Sequence, residues 1–131
     1  DVFDDYAYKN EIYYCTDYGL LSGMGNGNFM PNAPIETNHV LKVIVKALGY
    51  EHEAQANGGY PTGYYFTANR LGLLKGADLT KEGITLKDIT KILYNALFVD
   101  IMKVTGIKDN ENIYSFVNIF IHILIPIFNI R

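Results

Sequence analysis

An internal duplication is the feature that most constrains how this chain can fold. The segment Gly-Leu-Leu-x-Gly occurs twice, at Gly19–Gly23 and at Gly72–Gly76, 53 residues apart. A second series recurs at a spacing of 49: Ile35 and Ile84, Val40 and Ile89, Lys42 and Lys91, Val43 and Ile92, Ile44 and Leu93, Ala47 and Ala96, Leu48 and Leu97. The loop between the two series is therefore four residues shorter in the second copy. Two copies of one unit of about fifty residues account for residues 1–103.

The later half of each unit has apolar residues at the spacing of a helix with one buried stripe. The predicted stripes are Val40, Val43, Ile44, Ala47 and Leu48 in the first unit and Ile89, Ile92, Leu93, Ala96 and Leu97 in the second. Burying each large aliphatic side chain contributes about 1.5–3 kcal/mol, so each stripe is expected to meet another element. A single unit supplies too little surface for this, whereas stacked repeats share one core.

A shorter helix is predicted before each Gly-Leu-Leu-x-Gly segment, over Ala7–Tyr18 and over Thr62–Leu71. Gly19 and Gly72 are expected to end these helices, because glycine enters the left-handed conformation without penalty. The expected N-cap residues are Asp4 or Asp5 in the first helix and Thr62 in the second. The expected buried faces are Tyr8, Ile12 and Cys15 in the first helix and Tyr65, Ala68 and Leu71 in the second.

A glycine- and asparagine-rich loop follows the first short helix, over residues 23–31. Its glycines permit positive φ, Pro31 prevents a continued helix, and Phe29 is its expected buried anchor. The loop lacks the Gly-Lys-Ser/Thr ending and the preceding strand of a phosphate-binding loop. Asn26 and Asn28 offer neutral oxygens without the carboxylates of a calcium site. We therefore expect neither function here.

Composition excludes several classes of function. The 131 residues are 49% hydrophobic, which predicts one compact domain or two small repeats rather than disorder. The net charge is -3 and there is no basic block, which argues against a nucleic-acid partner. Cys15 is the single cysteine, so an internal disulfide and a cysteine zinc site are excluded. A chain that begins at Asp1 is expected to be a fragment or a processed product.

No arrangement of residues points to catalysis or to a bound metal. The three histidines are far apart and share no metal-binding motif, so they are expected at surfaces or at helix starts. Cys15 has no identifiable base and is expected to fill apolar space. We therefore predict no enzyme activity, no cofactor and no metal. The three histidines are His39, His52 and His122.

The order of these features resembles the S-layer homology family. An opening Phe3-x-Asp5, an aromatic short helix, Gly-Leu-Leu-x-Gly, a Gly-Asn-Gly-Asn-Phe-x-Pro loop and a helix ending Ala-Leu-Gly-Tyr occur in sequence. Residues 56–76 are similar to the beginning of a second module. The predicted fold is mostly α, with tandem helical-hairpin modules joined by glycine-rich loops. The predicted boundaries are a module at 1–50, a second at 51–103 and an apolar tail of unknown role at 104–131.

The resemblance implies an extracellular location at the cell wall or S-layer, and noncovalent binding of a secondary cell-wall polysaccharide in grooves between modules. Family members typically carry three modules, so further modules are implied partners. The family hallmark Ile-Thr-Arg-Ala-Glu begins the longer helix, and its arginine contacts the acidic sugar. Here Thr37 and Leu86 stand at the two arginine positions. Thr85 and Asp88 keep the helix-capping part of the motif.

An arginine binds a carboxylate through paired, charge-assisted hydrogen bonds that Thr and Leu cannot make. Lys87, next along the chain, offers a point charge instead. Two functions therefore stay open: a noncatalytic wall anchor that binds glycan, and a degenerate module that acts as a spacer or protein-interaction domain. A cytoplasmic helical adaptor is a third. The expected glycan contacts are Asp5, Asn26, Asn28, Thr37, Thr85 and Lys87.

Residues 113–130 form an apolar stretch with no charged residue before Arg131. Its length is near the lower limit for a membrane span, but it is interrupted by Asn118, His122, Pro126 and Asn129. Three interpretations follow: a segment outside the domain, a membrane-associated tail, or an extra strand or helix packed on the modules.

Overall fold

The computed structural model describes residues 1–80 and 83–118. Within these residues the chain forms five α-helices and one two-stranded antiparallel sheet. The chain divides into two compact units, Asp1–Ile35 and a second that begins at Glu36. From here on, the first and second unit are these two compact units and not the two copies of the sequence repeat. The elements are α1 (Lys9–Asp17), α2 (Thr37–Ala47), α3 (Glu51–Ala56), α4 (Thr62–Arg70), α5 (Leu86–Ala96), β1 (Asp100–Lys108) and β2 (Glu111–Asn118).

The predicted fold class holds only in part. The four predicted helices are present, and helices make up most of the regular structure of the described residues. Two elements were missed by the sequence patterns: the short helix α3 and the β1–β2 hairpin. Both missed elements are short or carry weak apolar periodicity, so the spacing of apolar residues gives no clear signal for them.

The first unit contains α1 and the glycine-rich loop. The C-terminus of α1 is closed as predicted: Gly19 has φ +67, and its N–H and that of Leu20 donate back to Thr16 and Cys15 carbonyls at 2.9 and 2.8 Å. The predicted N-cap is wrong, because Tyr8 occupies that position and no side chain caps the helix. The predicted buried face is also wrong, because Tyr8 is 64% exposed and α1 has no buried residue.

Of the expected cap residues in the first unit, Asp4 pairs with Lys9 instead, and Asp5 lies exposed in the preceding turn. The expected burial of Phe29 is also wrong in degree, because Phe29 is half-buried. The loop is held by Asp1, whose carboxylate accepts from the N–H groups of Phe29 and Met30, both at 2.7 Å. Charge-assisted bonds to backbone N–H groups therefore fix the end of this loop.

The second unit has the apolar core. In α2 the buried residues are Val40, Leu41, Ile44 and Val45, followed by Leu48. The predicted stripe is correct for three of its members, but Ala47 is exposed and Val43 is half-buried. The helix is rotated relative to the prediction because α3 and α4 both pack on α2. The other core members are Tyr50, Ala54, Tyr64, Ala68, Leu73, Ile92 and Ala96.

The fourth helix packs closely on α3 and α2. A Cβ on Gly63 would lie 2.0 Å from the carbonyl oxygen of Ala54, so only glycine permits this approach. Gly72 ends the helix at φ +74, as predicted. Pro61, not Thr62, is the N-cap residue, so that prediction is wrong. The predicted buried face is wrong at one position as well, because Tyr65 is 48% exposed. The buried residues of this helix are Gly63, Tyr64, Thr67 and Ala68.

The fifth helix begins as predicted. Thr85 is its N-cap, and the Thr85 hydroxyl oxygen accepts from the Asp88 N–H at 3.2 Å. Its buried residues are Asp88, Ile92 and Ala96. The predicted burial of Leu93 and Leu97 is wrong, because these side chains are 51% and 43% exposed. In the described residues, α5 packs on the other helices less extensively than α2 does, which leaves part of its apolar stripe in solvent.

The chain after α5 forms a hairpin. Asp109 and Asn110 both have positive φ, as a two-residue turn between twisted strands requires. Two hydrogen bonds tie the hairpin to the end of α2, from the Met102 N–H to the Leu48 carbonyl at 2.9 Å and from the Tyr50 hydroxyl to the Asp100 carbonyl at 3.0 Å. Residues 113–118 of the apolar stretch lie in β2, and the three interpretations of the stretch as a whole stay predictions. The rest of that stretch lies outside the described residues.

Candidate functional site

A polar bridge joins α5 to the turn after α4. The Asn95 side-chain amide donates to the Leu73 carbonyl at 2.8 Å and to the Lys75 carbonyl at 2.9 Å. These carbonyls belong to the second Gly-Leu-Leu-x-Gly segment. Since Leu73 is fully buried beside them, the turn is fixed against the helix from both its apolar and its polar side.

Lys91 is held at the same turn. Its ammonium group donates to the Gly76 carbonyl and lies 3.6 Å from an Asp88 carboxylate oxygen. An ammonium group has three N–H donors, so Lys91 can donate to one more partner. Asp88 also accepts from the Thr85 hydroxyl and from the Asp78 N–H. The hydrogen bond from Thr85 is the main cause that lowers the pKa of the Asp88 carboxyl below its ordinary value, and the hydrogen bond from the Asp78 N–H lowers it further.

A shallow groove of about 370 Å³ lies over this bridge. Two of its six lining residues are lysines, and none is acidic. Tyr94 contributes an aromatic wall that is 61% exposed. A flat aromatic face beside lysine ammonium groups suits a ligand that carries negative charge. The lining residues are Lys75, Gly76, Thr90, Lys91, Tyr94 and Asn95.

A second basic and aromatic cluster lies at the start of α2. The rings of His39 and Tyr60 stack with centroids 5.7 Å apart, and the Lys42 ammonium lies 5.5 Å from the Tyr60 centroid. Lys42 is the repeat equivalent of Lys91. Unlike the ring of Tyr94 in the groove over the Asn95 bridge, the ring of Tyr60 is in contact with a lysine of the protein itself, Lys42. His39 is exposed in the first turn of α2, as expected for a helix-start histidine.

The predicted contact residues of the second unit lie at helix starts. Thr37 is the first residue of α2 and is half-buried. Thr85 is the N-cap of α5, and its hydroxyl is occupied by Asp88. Lys87 is exposed in the first turn of α5. None of these three residues lines the groove over the bridge, so their role as glycan contacts stays a prediction.

The predicted contact residues of the first unit are Asp5 and two loop asparagines. The Asn26 side-chain oxygen accepts from the Asn28 N–H at 3.1 Å, which gives it a role in the turn. Asn28 lines a shallow, open groove of about 490 Å³ with glycines and Phe29. Asp5 is exposed. These three also stay predictions as ligand contacts.

The residues that line the groove over the bridge were missed by sequence reasoning. Lys75 lies at the variable position of Gly-Leu-Leu-x-Gly, where the first copy has Ser22. Lys91 recurs from Lys42, and this recurrence was the one available signal. The proximity of Tyr94 and Asn95 to that turn depends on how α5 packs, which spacing along the chain does not reveal.

Among residues 1–80 and 83–118, no helix is both long and apolar enough to cross a bilayer. Those same residues hold no group of three or more His, Cys, Asp or Glu side chains placed to bind a metal ion.

Comparison with known proteins finds a family model and two relatives that are named as surface or wall proteins. Residues 1–35 match the S-layer homology domain, which confirms the predicted resemblance. The chain is 31% identical over 110 residues, 83% of its length, to a protein named "Cell surface protein" from Thermoanaerobacter kivui. It is 30% identical over 84 residues, 64% of its length, to a "Middle cell wall protein" from Brevibacillus brevis. No solved structure matches the chain.

The chain spans only 14% and 8% of the lengths of these two relatives. The matches nevertheless agree on one location. The predicted extracellular, cell-wall-associated location is therefore confirmed.

Proposed function

We propose that the chain is a noncatalytic module that anchors an exported protein to the cell wall by binding a secondary cell-wall polysaccharide. We further propose that it is built from tandem helical-hairpin modules at 1–50 and 51–103, with further modules of this kind as partners. The observation that carries the binding proposal is the basic, aromatic groove over the Asn95 bridge. It provides the three features that an acidic sugar needs: cations, hydrogen-bond donors and a flat apolar face.

The charges of the groove favour an anionic glycan over a neutral one. Lys75 is exposed, and the lining contains no carboxylate that would neutralise it. Lys91 is fixed by Gly76 and Asp88, so it loses little side-chain entropy when a ligand binds. The backbone of the turn is likewise fixed by Asn95. Such preorganisation is what a site needs in order to bind a flexible polymer.

The groove compensates for the missing arginines of the family motif. Leu86 stands where one arginine is expected and is 78% exposed. Lys87, beside it, supplies a point charge rather than a bidentate fork. We propose that the anionic group of the sugar is bound by the lysines of the turn and of the middle of α5. Thr37, Thr85 and Lys87 in the second compact unit, and separately Asp5, Asn26 and Asn28 in the first, are proposed contacts to other parts of the polysaccharide.

Cosedimentation with purified cell-wall sacculi tests this proposal, before and after the secondary polymer is stripped from the wall. We expect retention of the 131-residue chain on intact sacculi and loss of retention on stripped sacculi. Retention that is unchanged by stripping would contradict glycan binding.

Variants then locate the site. Lys75→Gln and Tyr94→Ala should each weaken retention by about tenfold, since each removes a contact worth about 1–2 kcal/mol. Lys108→Gln, which neutralises an exposed lysine at the end of β1, is the matched control and should leave retention unchanged. Lys87→Gln tests the motif position separately. An effect of Lys87→Gln alone would move the site from the groove to the start of α5.

The alternative function is a structural spacer or protein-interaction module without glycan binding. One observation favours it: both arginine positions of the motif have lost their charge, at Thr37 and Leu86. Leu86→Arg distinguishes the two functions, because it restores one motif arginine at an exposed position. If the native chain is not retained and Leu86→Arg is, the native chain is the spacer.

A further inference from the structure

Asparagine followed by glycine occurs twice in the chain, at Asn26 and Gly27 and at Asn57 and Gly58. This pair is prone to deamidation, because glycine has no side chain to obstruct the attack of its own backbone nitrogen on the asparagine amide, which closes a cyclic imide. The four residues are all exposed. Since the two pairs share the same residues and the same exposure, a difference in their reactivity must come from the hydrogen bonds around them.

The second pair is held by hydrogen bonds at the end of α3. Asn57 is the C-cap residue of this helix, and its side-chain amide donates to the Glu53 carbonyl at 2.9 Å. The N–H of Gly58, whose nitrogen would attack, donates to the Gln55 carbonyl at 3.2 Å. Both hydrogen bonds must break before the cyclic imide can close. The end of α3 therefore protects Asn57 from deamidation.

The first pair has no such protection. In the described part of the chain, no group accepts a hydrogen bond from the Gly27 N–H. The side-chain oxygen of Asn26 accepts from the Asn28 N–H at 3.1 Å, which holds the side chain over the backbone that follows it. The same N–H stabilises the negative charge that develops on this oxygen when the amide carbon is attacked. The loop therefore leaves the attacking group free and activates the carbon that it attacks.

We propose that Asn26 is a site of spontaneous deamidation, whereas Asn57 is preserved. The backbone nitrogen of Gly27 forms a bond to Cγ of Asn26, the bond from Cγ to Nδ2 breaks, and Nδ2 leaves as ammonia with the proton of the Gly27 N–H. Water then opens the cyclic imide at either carbonyl carbon and gives aspartate or isoaspartate. One water is consumed and one ammonia is released, so the reaction needs no oxidant, reductant or enzyme.

The products differ from the native loop in charge and in backbone. A carboxyl group, which is ionised at neutral pH, replaces the neutral amide of Asn26. Isoaspartate also lengthens the main chain by one carbon, which disturbs the turn closed by the Asn28 N–H. One consequence rests on the proposed function: because Asn26 is a proposed contact of an acidic glycan, the modified chain should bind that glycan more weakly.

Peptide mapping by mass spectrometry tests the modification in mildly alkaline buffer, where the backbone nitrogen loses its proton more readily. The folded native chain should convert at Asn26 about tenfold faster or more than at Asn57, because only Asn57 must lose two hydrogen bonds first. In guanidinium chloride, where both sites are unfolded, the two rates should become similar. Equal rates in the folded chain would overturn the proposal, and so would an intact Asn26 in folded chain incubated for as long as the unfolded chain takes to convert.

Two variants at Asn28 test the role of its N–H. Asn28→Pro removes this donor, Asn28→Ala keeps it, and both preserve the Asn-Gly pair. Dividing each folded rate by the rate of the same variant in guanidinium chloride cancels the effect of the changed sequence. This ratio should fall by about threefold to tenfold in Asn28→Pro and stay at its native value in Asn28→Ala. An unchanged ratio in Asn28→Pro would overturn the activation of Asn26 by the loop. Hydrogen exchange at the Phe29 and Met30 amides, which Asp1 holds, checks that the loop stays folded.

Retention on intact sacculi tests the consequence for binding. Asn26→Asp should lower retention by about twofold to fivefold, and Asn57→Asp is the matched control that should leave it unchanged. Equal retention of the two variants would refute this consequence. A native chain that is not retained at all would instead refute the proposed function. Peptide mapping involves no glycan, so its result decides the modification separately from both of these outcomes.

Discussion

Replacement of Gly49 by alanine should destabilise the second unit by disturbing the junction between α2 and the hairpin. Gly49 has φ +86, and a Cβ there would lie 1.9 Å from the carbonyl oxygen of Met102. Left-handed backbone costs a residue with a Cβ about 1–2 kcal/mol. The clash also forces β1 away and breaks the Met102 N–H bond to Leu48, which is worth about 0.5–1.5 kcal/mol. The expected loss is therefore about 1.5–3.5 kcal/mol.

Urea unfolding followed by circular dichroism measures this loss, with Gly72→Ala as the control. Gly72 ends α4 with the same backbone conformation, at φ +74, but apart from Gly72 itself and its two neighbours in the chain, no heavy atom of the described residues lies within 4 Å of the position that a Cβ would occupy. Gly72→Ala should cost only the conformational part, about 1–2 kcal/mol. In Gly49→Ala the Met102 amide should also lose its protection from hydrogen exchange. Equal losses of stability in both variants, with Met102 still protected, would refute the reasoning.

Four further predictions concern α5. Thr85→Ala should cost about 1 kcal/mol of unfolding free energy through loss of the N-cap, with Thr85→Ser restoring most of it in urea unfolding. Because the pKa of Asp88 is lowered in the folded state, its contribution to stability is present above the ordinary carboxyl pKa and is lost as the pH falls through the lowered value. Urea unfolding between about pH 7 and about pH 2, across which carboxyl groups titrate, should therefore show a smaller decline in Asp88→Asn than in the native chain. Asn95→Ala should cost about 1–3 kcal/mol, because two carbonyls lose their donor. Ile92→Ala should cost about 2–5 kcal/mol in the same assay, and Leu93→Ala much less, because Ile92 is fully buried and Leu93 is half in solvent; equal costs would show that α5 is rotated from the position described.

Local features were predictable from the sequence because they depend on residues close together in the chain. Four of the five described helices, the glycine ends at Gly19 and Gly72, and the Thr85 cap follow from backbone conformation and from hydrogen bonds that span no more than five residues. The S-layer homology resemblance over residues 1–35 rests on the same kind of local order.

Only the tertiary structure decided which apolar face of each repeated helix is covered. Ile44 and Leu93 are repeat equivalents, yet Ile44 is buried and Leu93 is exposed. Their burial differs because α2 is followed by the helices α3 and α4, whereas α5 is followed by the hairpin that begins at Asp100. Periodicity shows that a face is apolar, but burial requires a second surface, and that surface is supplied by residues distant in the chain. For the same reason, the groove that Lys75 and Tyr94 line together could not be predicted from the spacing of residues along the chain.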